Sequence, residues 1–383
     1  MADHETILLS DPDMSQAEID AAAAVIASPQ LSGGRIVEDF EEAFAARIGR
    51  RYAVAVASGT VGLLLCLKAN AIGPGDEVVA PSYSWHQIAN AIALSGARPA
   101  FAEIDYWTGT IAPEKAEEKI TPRTRAIVAA NTNGHPAQWA ELRRLAAARG
   151  LLLLEDSTEA IGSMYQGKTV GSFGDCSIFD FSQPGPIVCG EGAMIVTDDG
   201  DLAGRLRGLR AGRTQDPSPS AGPCPPMQAG LSNIAAALGL AQLERLDAIL
   251  ARRKQVEQWY AVAMQSFEGI KPPYVAPEVT EHHWFLYVVH LGTRFTRGSR
   301  DAIIEDLRAE RIEAKPFSIP LHQQHWYCGE SRDRRDLLVT EKVADRAIAL
   351  PFHAHLSPEH VAFIVKSAKD ASVNVGAGSA IYL

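Results

Sequence analysis

The sequence predicts an α/β protein: a large three-layer unit around a mainly parallel sheet, followed by a smaller α+β unit. Three observations predict it. First, Leu151-Leu152-Leu153-Leu154 runs into Glu155-Asp156, and Cys176-Ser177-Ile178-Phe179-Asp180-Phe181 runs into Ser182, Gln183 and Pro184. Short apolar runs that stop at polar residues read as buried parallel strands delivering side chains to one sheet edge. Open α/β sheets bind ligands at that edge. Second, strand-like and helix-like segments alternate at βαβ spacing between residues 52 and 197. Third, the pattern changes beyond residue 260. The expected division is 1–250 for the large unit with an N-terminal arm, and 251–383 for the small one.

Taken in order, Ser15-Gln16-Ala17-Glu18 supplies a cap and a first-turn acid for an Ala-rich helix. Leu31-Ser32-Gly33-Gly34 ends it. Residues 37–48 form an amphipathic helix with Phe40, Phe44 and Ile48 along it. Residues 52–57 are a strand, Ser58-Gly59-Thr60 follows, and 61–70 are helical. Small residues between a strand and a helix leave backbone N–H groups and the positive helix end facing an anion; they also simply permit the turn. A turn at 73–77 leads to strand 78–81. Ser82-Tyr83-Ser84-Trp85-His86 then opens a helix that runs to Ser95. Strands at 99–105 and 126–130 and a helix at 139–149 precede the first apolar run. Strand 194–197 and helix 202–209 follow the second. A Gly-, Pro- and Ser-rich loop covers 211–230. One long helix, or two, covers 233–260. The small unit has a strand at 285–291, a helix at 300–310, a loop at 315–327 and a final helix at 358–371.

Bulk composition excludes several classes. The 383 residues are 46% hydrophobic and 21% charged, as in ordinary globular proteins. The net charge of −10 is spread along the chain and argues against nucleic acid or an anionic membrane as a partner. No uncharged stretch reaches transmembrane length. No basic segment followed by an apolar one marks a secretory signal. The cysteines Cys66, Cys176, Cys189, Cys224 and Cys328 form no CxxC pair and are odd in number. They read as buried thiols in a reducing cytoplasm. No metal site is expected.

The motifs Leu8-Leu9-Ser10-Asp11-Pro12-Asp13, Leu31-Ser32-Gly33-Gly34, Ala57-Ser58-Gly59-Thr60, Gly75-Asp76-Glu77-Val78, Pro81-Ser82-Tyr83-Ser84-Trp85, Glu155-Asp156, Gly190-Glu191-Gly192, Ala237-Leu238-Gly239-Leu240-Ala241-Gln242-Leu243 and Leu350-Pro351 occur in this order. On them, nearly the whole chain resembles the DegT/StrS-type sugar aminotransferases, which are fold type I pyridoxal-phosphate (PLP) enzymes. The resemblance implies that Gly59 and Thr60 hold the cofactor phosphate. It implies that Trp85 stacks on the pyridine ring and that Asp156 pairs with the ring nitrogen. A tryptophan can equally be core, and a strand-end aspartate can cap a helix. The resemblance also implies a homodimer with the site near its interface.

The chain departs from that pattern where the cofactor would be tethered. The family's Schiff-base lysine lies five residues before the Gly-Glu-Gly turn; that slot is Gly185, between Pro184 and Pro186. No lysine occurs between Lys168 and Lys254. The family's phosphate-binding serine is replaced by Asp180, and the glutamine three residues after the aspartate by Glu159. A dianionic phosphate ~4 Å from a carboxylate, at an effective dielectric of ~20, is opposed by roughly 8 kcal/mol before screening. Pro226-Met227-Gln228 and Gly230 replace the segment that reaches the partner subunit's phosphate. Glu155, Asp156, Glu159, Asp180 and Glu191 are therefore expected to make an acidic pocket. The leading expectation is an enzyme acting on a polar, sugar- or amine-bearing small molecule through Asp156, Asp180, Glu159 and His86, with no covalently bound cofactor. A second reading keeps PLP or its amine form, PMP, noncovalently through Thr60, Trp85 and Asp156. A third is a non-catalytic partner subunit or ligand sensor. His135, His322 and His282-His283 are further acid–base candidates.

Overall fold

The structure, a computed structural model, describes residues 6–182, 184–211, 225–266, 270–271, 273–327 and 334–381. Gln183, Cys224, Cys328 and residues 212–224 of the Gly/Pro/Ser-rich loop lie outside these.

Helix α1 (Gln16–Ile26) starts at a capping box formed by Ser15 and Glu18. Helix α2 (Arg35–Ile48) buries Phe40, Phe44 and Ile48 and stops at Gly49, whose φ of 78° is the left-handed conformation glycine adopts freely. The alternating region follows: β1 (Tyr52–Val56), α3 (Gly59–Ala69), β2 (Glu77–Pro81), α4 (His86–Ser95), β3 (Arg98–Ala102), α5 (Pro113–Glu118), β4 (Thr124–Ala130), α6 (Trp139–Arg149) and β5 (Leu152–Asp156). A small hairpin, β6 (Met164–Tyr165) with β7 (Lys168–Thr169), precedes β8 (Cys176–Asp180), β9 (Ala193–Thr197) and α7 (Gly200–Arg210).

Seven of these strands form one sheet in the order β1-β9-β8-β5-β4-β2-β3. It is parallel except for β9, which runs against both β1 and β8. Every residue of β2, β8 and β9 is buried, which is why these strands read as near-continuous apolar runs. On one face, Val54, Leu63, Leu65, Ile88 and Ile178 share a core with α3, α4 and α7. On the other, Phe44 packs at 5.0 Å from Phe179 and 5.4 Å from Phe181. Strands β5 and β8 are parallel neighbours, with Asp156 opposite Ile178. Their carboxyl ends therefore bring Asp156 and Asp180 to the same edge.

Helix α8 (Asn233–Ala263) is a single helix of 31 residues that passes through residue 250 without a break. Beyond it come β10 (Ile270–Lys271), β11 (Val279–Glu281), β12 (Tyr287–Leu291), α9 (Arg297–Ala309), β13 (Lys315–Pro316), α10 (Leu338–Ala344), β14 (Ala347–Leu350) and α11 (Pro358–Ile381). A four-stranded sheet, β10-β12-β14-β13, carries the second core, in which Ile303, Leu307, Val361 and Ile364 are buried. Strand β11 instead pairs with β6 of the alternating region. The N-terminal arm departs from the expected division. Ile7 bridges Ile312, and the Leu9 carbonyl accepts from the Phe352 N–H at 3.0 Å. Residues 7 and 9 are thus tied to the C-terminal half, because their backbone groups find partners there.

Arg253 of α8 is buried and ties that helix to the C-terminal strands and loops. Its guanidinium donates to the carbonyls of Trp284, Phe285 and Phe352 and lies 4.7 Å from the Phe352 ring centre. Burial lowers its pKa to about 10, still well above neutral pH.

Candidate active site

The residues expected at the site fall into two groups. The first is a closed network at the carboxyl ends of β5 and β8. Asp180 Oδ2 accepts from the Gly59 N–H at 2.6 Å, and Asp180 Oδ1 accepts from the Ser182 N–H at 2.8 Å. The Ser182 hydroxyl donates to the same Oδ1. The N-terminus of α3 is thus an anion cradle, as its small residues suggest, and the chain's own carboxylate fills it. Asp156 Oδ2 accepts from Gln87 Nε2 at 2.6 Å, and the Thr158 N–H donates to Oδ1. Burial raises the Asp156 pKa; the Gln87 and Thr158 bonds oppose this, and the Asp180 charge adds to it. A Cβ built on Gly59 would meet Gln87 Oε1 at 2.6 Å and Asp180 Oδ2 at 2.8 Å. Gln87 therefore spans the distance from Asp156 to the cradle. Thr60, next in α3, is half-buried.

The second group lines an open cleft of about 230 Å³ between the alternating region and the 315–324 segment. Trp85, His86 and Glu159 form one wall, and Lys315, Phe317 and Gln324 belong to the other. Glu159 is only 7% exposed. Burial raises its pKa to about 8; the Asn133 N–H opposes that rise and the Asp156 charge adds to it. Lys315 Nζ lies 5.9 Å from the Trp85 ring centre. Phe285 meets Trp85 edge-on at 5.8 Å. A Cβ on Gly185 would reach Phe285 Cε2 at 3.8 Å, so Gly185 borders this aromatic wall.

Several expectations are corrected. Asp156, Asp180 and Gly59 do not line the cleft; their polar atoms are tied to Gln87, Thr158, Ser182 and one another. Glu155 points away and holds the 171–174 turn, accepting from the N–H groups of Gly171, Phe173 and Gly174. Glu191 is exposed. The acidic pocket shrinks to a line of three: Asp180, Asp156 and Glu159. His135 is a packing residue, with Nδ1 2.8 Å from the Pro136 carbonyl and Nε2 accepting the Ala276 N–H. His322 binds Ser82 Oγ at 2.7 Å and lies 3.0 Å from Glu341. His282 pairs with Glu257. Only His86 of the weighed histidines faces the cleft, from its exposed rim. Lys315 and Gln87 were not anticipated. Gln87 had one signal: it stands in the first turn of α4, two residues after Trp85.

A mainly parallel seven-stranded sheet between helices, a small C-terminal sheet and a cleft at the strand ends define an aminotransferase-like protein of fold type I. The chain belongs to the DegT/DnrJ/EryC1/StrS aminotransferase family, whose profile matches residues 12–369. It is 37% identical over 365 residues to GDP-perosamine synthase of Caulobacter vibrioides, covering 93% of this chain and 96% of that one. Among solved structures it resembles S. venezuelae DesV in complex with a ketimine intermediate, with a TM-score of 0.88, 30% identity and coverage of 96% and 99%. A sugar aminotransferase described as putative, Spr1654 of Streptococcus pneumoniae in its PMP form, shares the fold at a TM-score of 0.91 and 24% identity, with coverage of 98% and 99%. No helix among the described residues is long and apolar enough to cross a membrane.

A PLP-related cofactor accompanies this family. The residues present here do not fit it in the family's manner. The Gly59 N–H already serves Asp180, Asp156 already accepts from Gln87, and Gly185 offers no side-chain amine.

Proposed function

We propose that this protein is a sugar-modifying biosynthetic enzyme of the cytoplasm whose chemistry runs on acid–base side chains rather than on a Schiff-base cofactor. The observation that carries the reading is the Asp180 carboxylate on the Gly59 amide, in the place of a phosphate. Its substrate is a nucleotide-linked sugar, the class to which GDP-perosamine belongs. Trp85 offers a flat face to the sugar ring. Glu159 holds a proton at neutral pH and gives it to, or takes it from, the sugar. His86 serves as a second acid–base group at the rim. Asp156 and Asp180 act from behind: the Asp156 charge adds to the effect of burial on Glu159 and its carboxylate holds Gln87, while Asp180 fills the cradle. The active unit is a homodimer, with exposed Ile19, Ile26 and Leu94 available for burial; sedimentation at twice 41.2 kDa checks this.

Absorbance titration with PLP, followed by borohydride reduction and mass analysis, tests the reading. With stoichiometric PLP, wild type should give no one-to-one adduct fixed in the cleft, while a double variant, Asp180→Ser with Gly185→Lys, should gain one at position 185. A cofactor fixed one-to-one in the wild-type cleft overturns the proposal. A band that borohydride does not fix supports the noncovalent reading instead.

A further inference from the structure

Lys315 is the only lysine that lines the cleft among the described residues. Others are occupied elsewhere: Lys68 donates to the Ser95 carbonyl, Lys115 pairs with Glu118, and Lys254 pairs with Glu257. Lys315 sits on β13, where its backbone partner is Ala349 of β14, so its stem is fixed by a sheet rather than by a loop. Its amine faces the Trp85 ring, and it forms no ion pair among the described residues. Across the cleft stands Glu159, which is buried and whose pKa burial raises to about 8. Phe285, which touches Trp85 edge-on, also borders Gly185, so Lys315 reaches the aromatic wall that the missing tether would have shared.

We propose that Lys315, delivered from the small sheet, supplies the primary amine that the large sheet lacks and condenses with the carbonyl of a keto sugar. This rests on the reading of the cleft as the reaction site. The neutral Nζ adds to the carbonyl carbon, forming the C–N bond. The C=O π pair passes to oxygen, which takes a proton from Glu159. Glu159 regains a proton from the nitrogen. A second transfer through Glu159 releases water as the C=N bond forms. Both amine protons leave in that water, and nothing is oxidised or reduced. Burial lowers the Lys315 pKa, which raises the share of neutral amine.

The test uses cofactor-free full-length protein, dihydroxyacetone as the ketone and cyanoborohydride at neutral pH, with peptide mapping of the labelled lysines. Lys315 should be labelled about tenfold or more faster than the exposed Lys168. Glu159→Gln should slow Lys315 alone by about tenfold, leaving Lys168 unchanged. Labelling of Lys315 at or below the Lys168 rate in wild type overturns the proposal, with no variant required to fold. Equal Lys315 rates in Glu159→Gln and wild type also overturn the step through Glu159. The two readings fail separately. A PLP adduct at Lys315 would defeat cofactor-free chemistry while keeping Lys315 as the amine; a slow Lys315 would leave that chemistry in place.

Discussion

Glu159 holds its proton well above the ordinary glutamate range because it is buried beside Asp156. Its folded-state pKa of about 8 lies above the usual 4.5. Its contribution to stability is therefore complete below about 4.5 and lost as pH rises through about 8. Glu159→Gln removes the ionisation while keeping an oxygen for the Asn133 N–H. The variant should melt above wild type at about pH 9, by a margin of up to about 5 kcal/mol, and the gap should largely close by about pH 5. Melting curves across that range check it, and an unchanged gap at all pH values would refute the assignment. At this scale the sequence discloses part of the site. Trp85, His86 and Glu159, which line the cleft, stand at or beside motif positions, whereas Asp156 and Asp180 stand there too but turn to Gln87 and Gly59. Lys315 stands far along the chain from those motifs, on a strand of two residues, and no local pattern ties it to Trp85. Which carboxylates face solvent could not be read either, because Gln87 decides it through a contact 69 residues away.

Strand ends and the turns after them set the frame of the site, and one buried carboxylate shapes a turn. Glu155 accepts from Gly171, Phe173, Gly174, Ser177, Asn131 and Ser157, all at 2.6–3.0 Å. An amide at this position would turn its NH₂ toward donors. Glu155→Gln should therefore cost about 2–4 kcal/mol in chemical denaturation, although it is isosteric. A loss below about 0.5 kcal/mol would show that the turn does not depend on it. The alternating elements were legible because full burial makes a strand an apolar run and because a cap marks each of several helix starts. The reversal of β9 was not, since an apolar run carries no direction. Strands of two or three residues, such as β6, β7, β11 and β13, are too short for any period to show.

Across the whole molecule, α8 packs against both α2 and α11, and the arm at Ile7 and Leu9 reaches Ile312 and Phe352, so the ends of the chain and its long helix hold the two sheets together. The overall architecture followed from the order of motifs; the placement of the arm did not, because it depends on backbone partners some 300 residues away. A helix terminus that waits for a ligand responds to whatever ion the solution provides, and its protein gains or loses heat resistance with the choice of buffer. Here the complement is covalently part of the chain. Exchanging chloride for phosphate or sulfate at constant ionic strength should shift the wild-type Tm no more than that exchange does for Asp180→Asn, where the cradle has lost its resident charge, and the two salts should separate only for the variant.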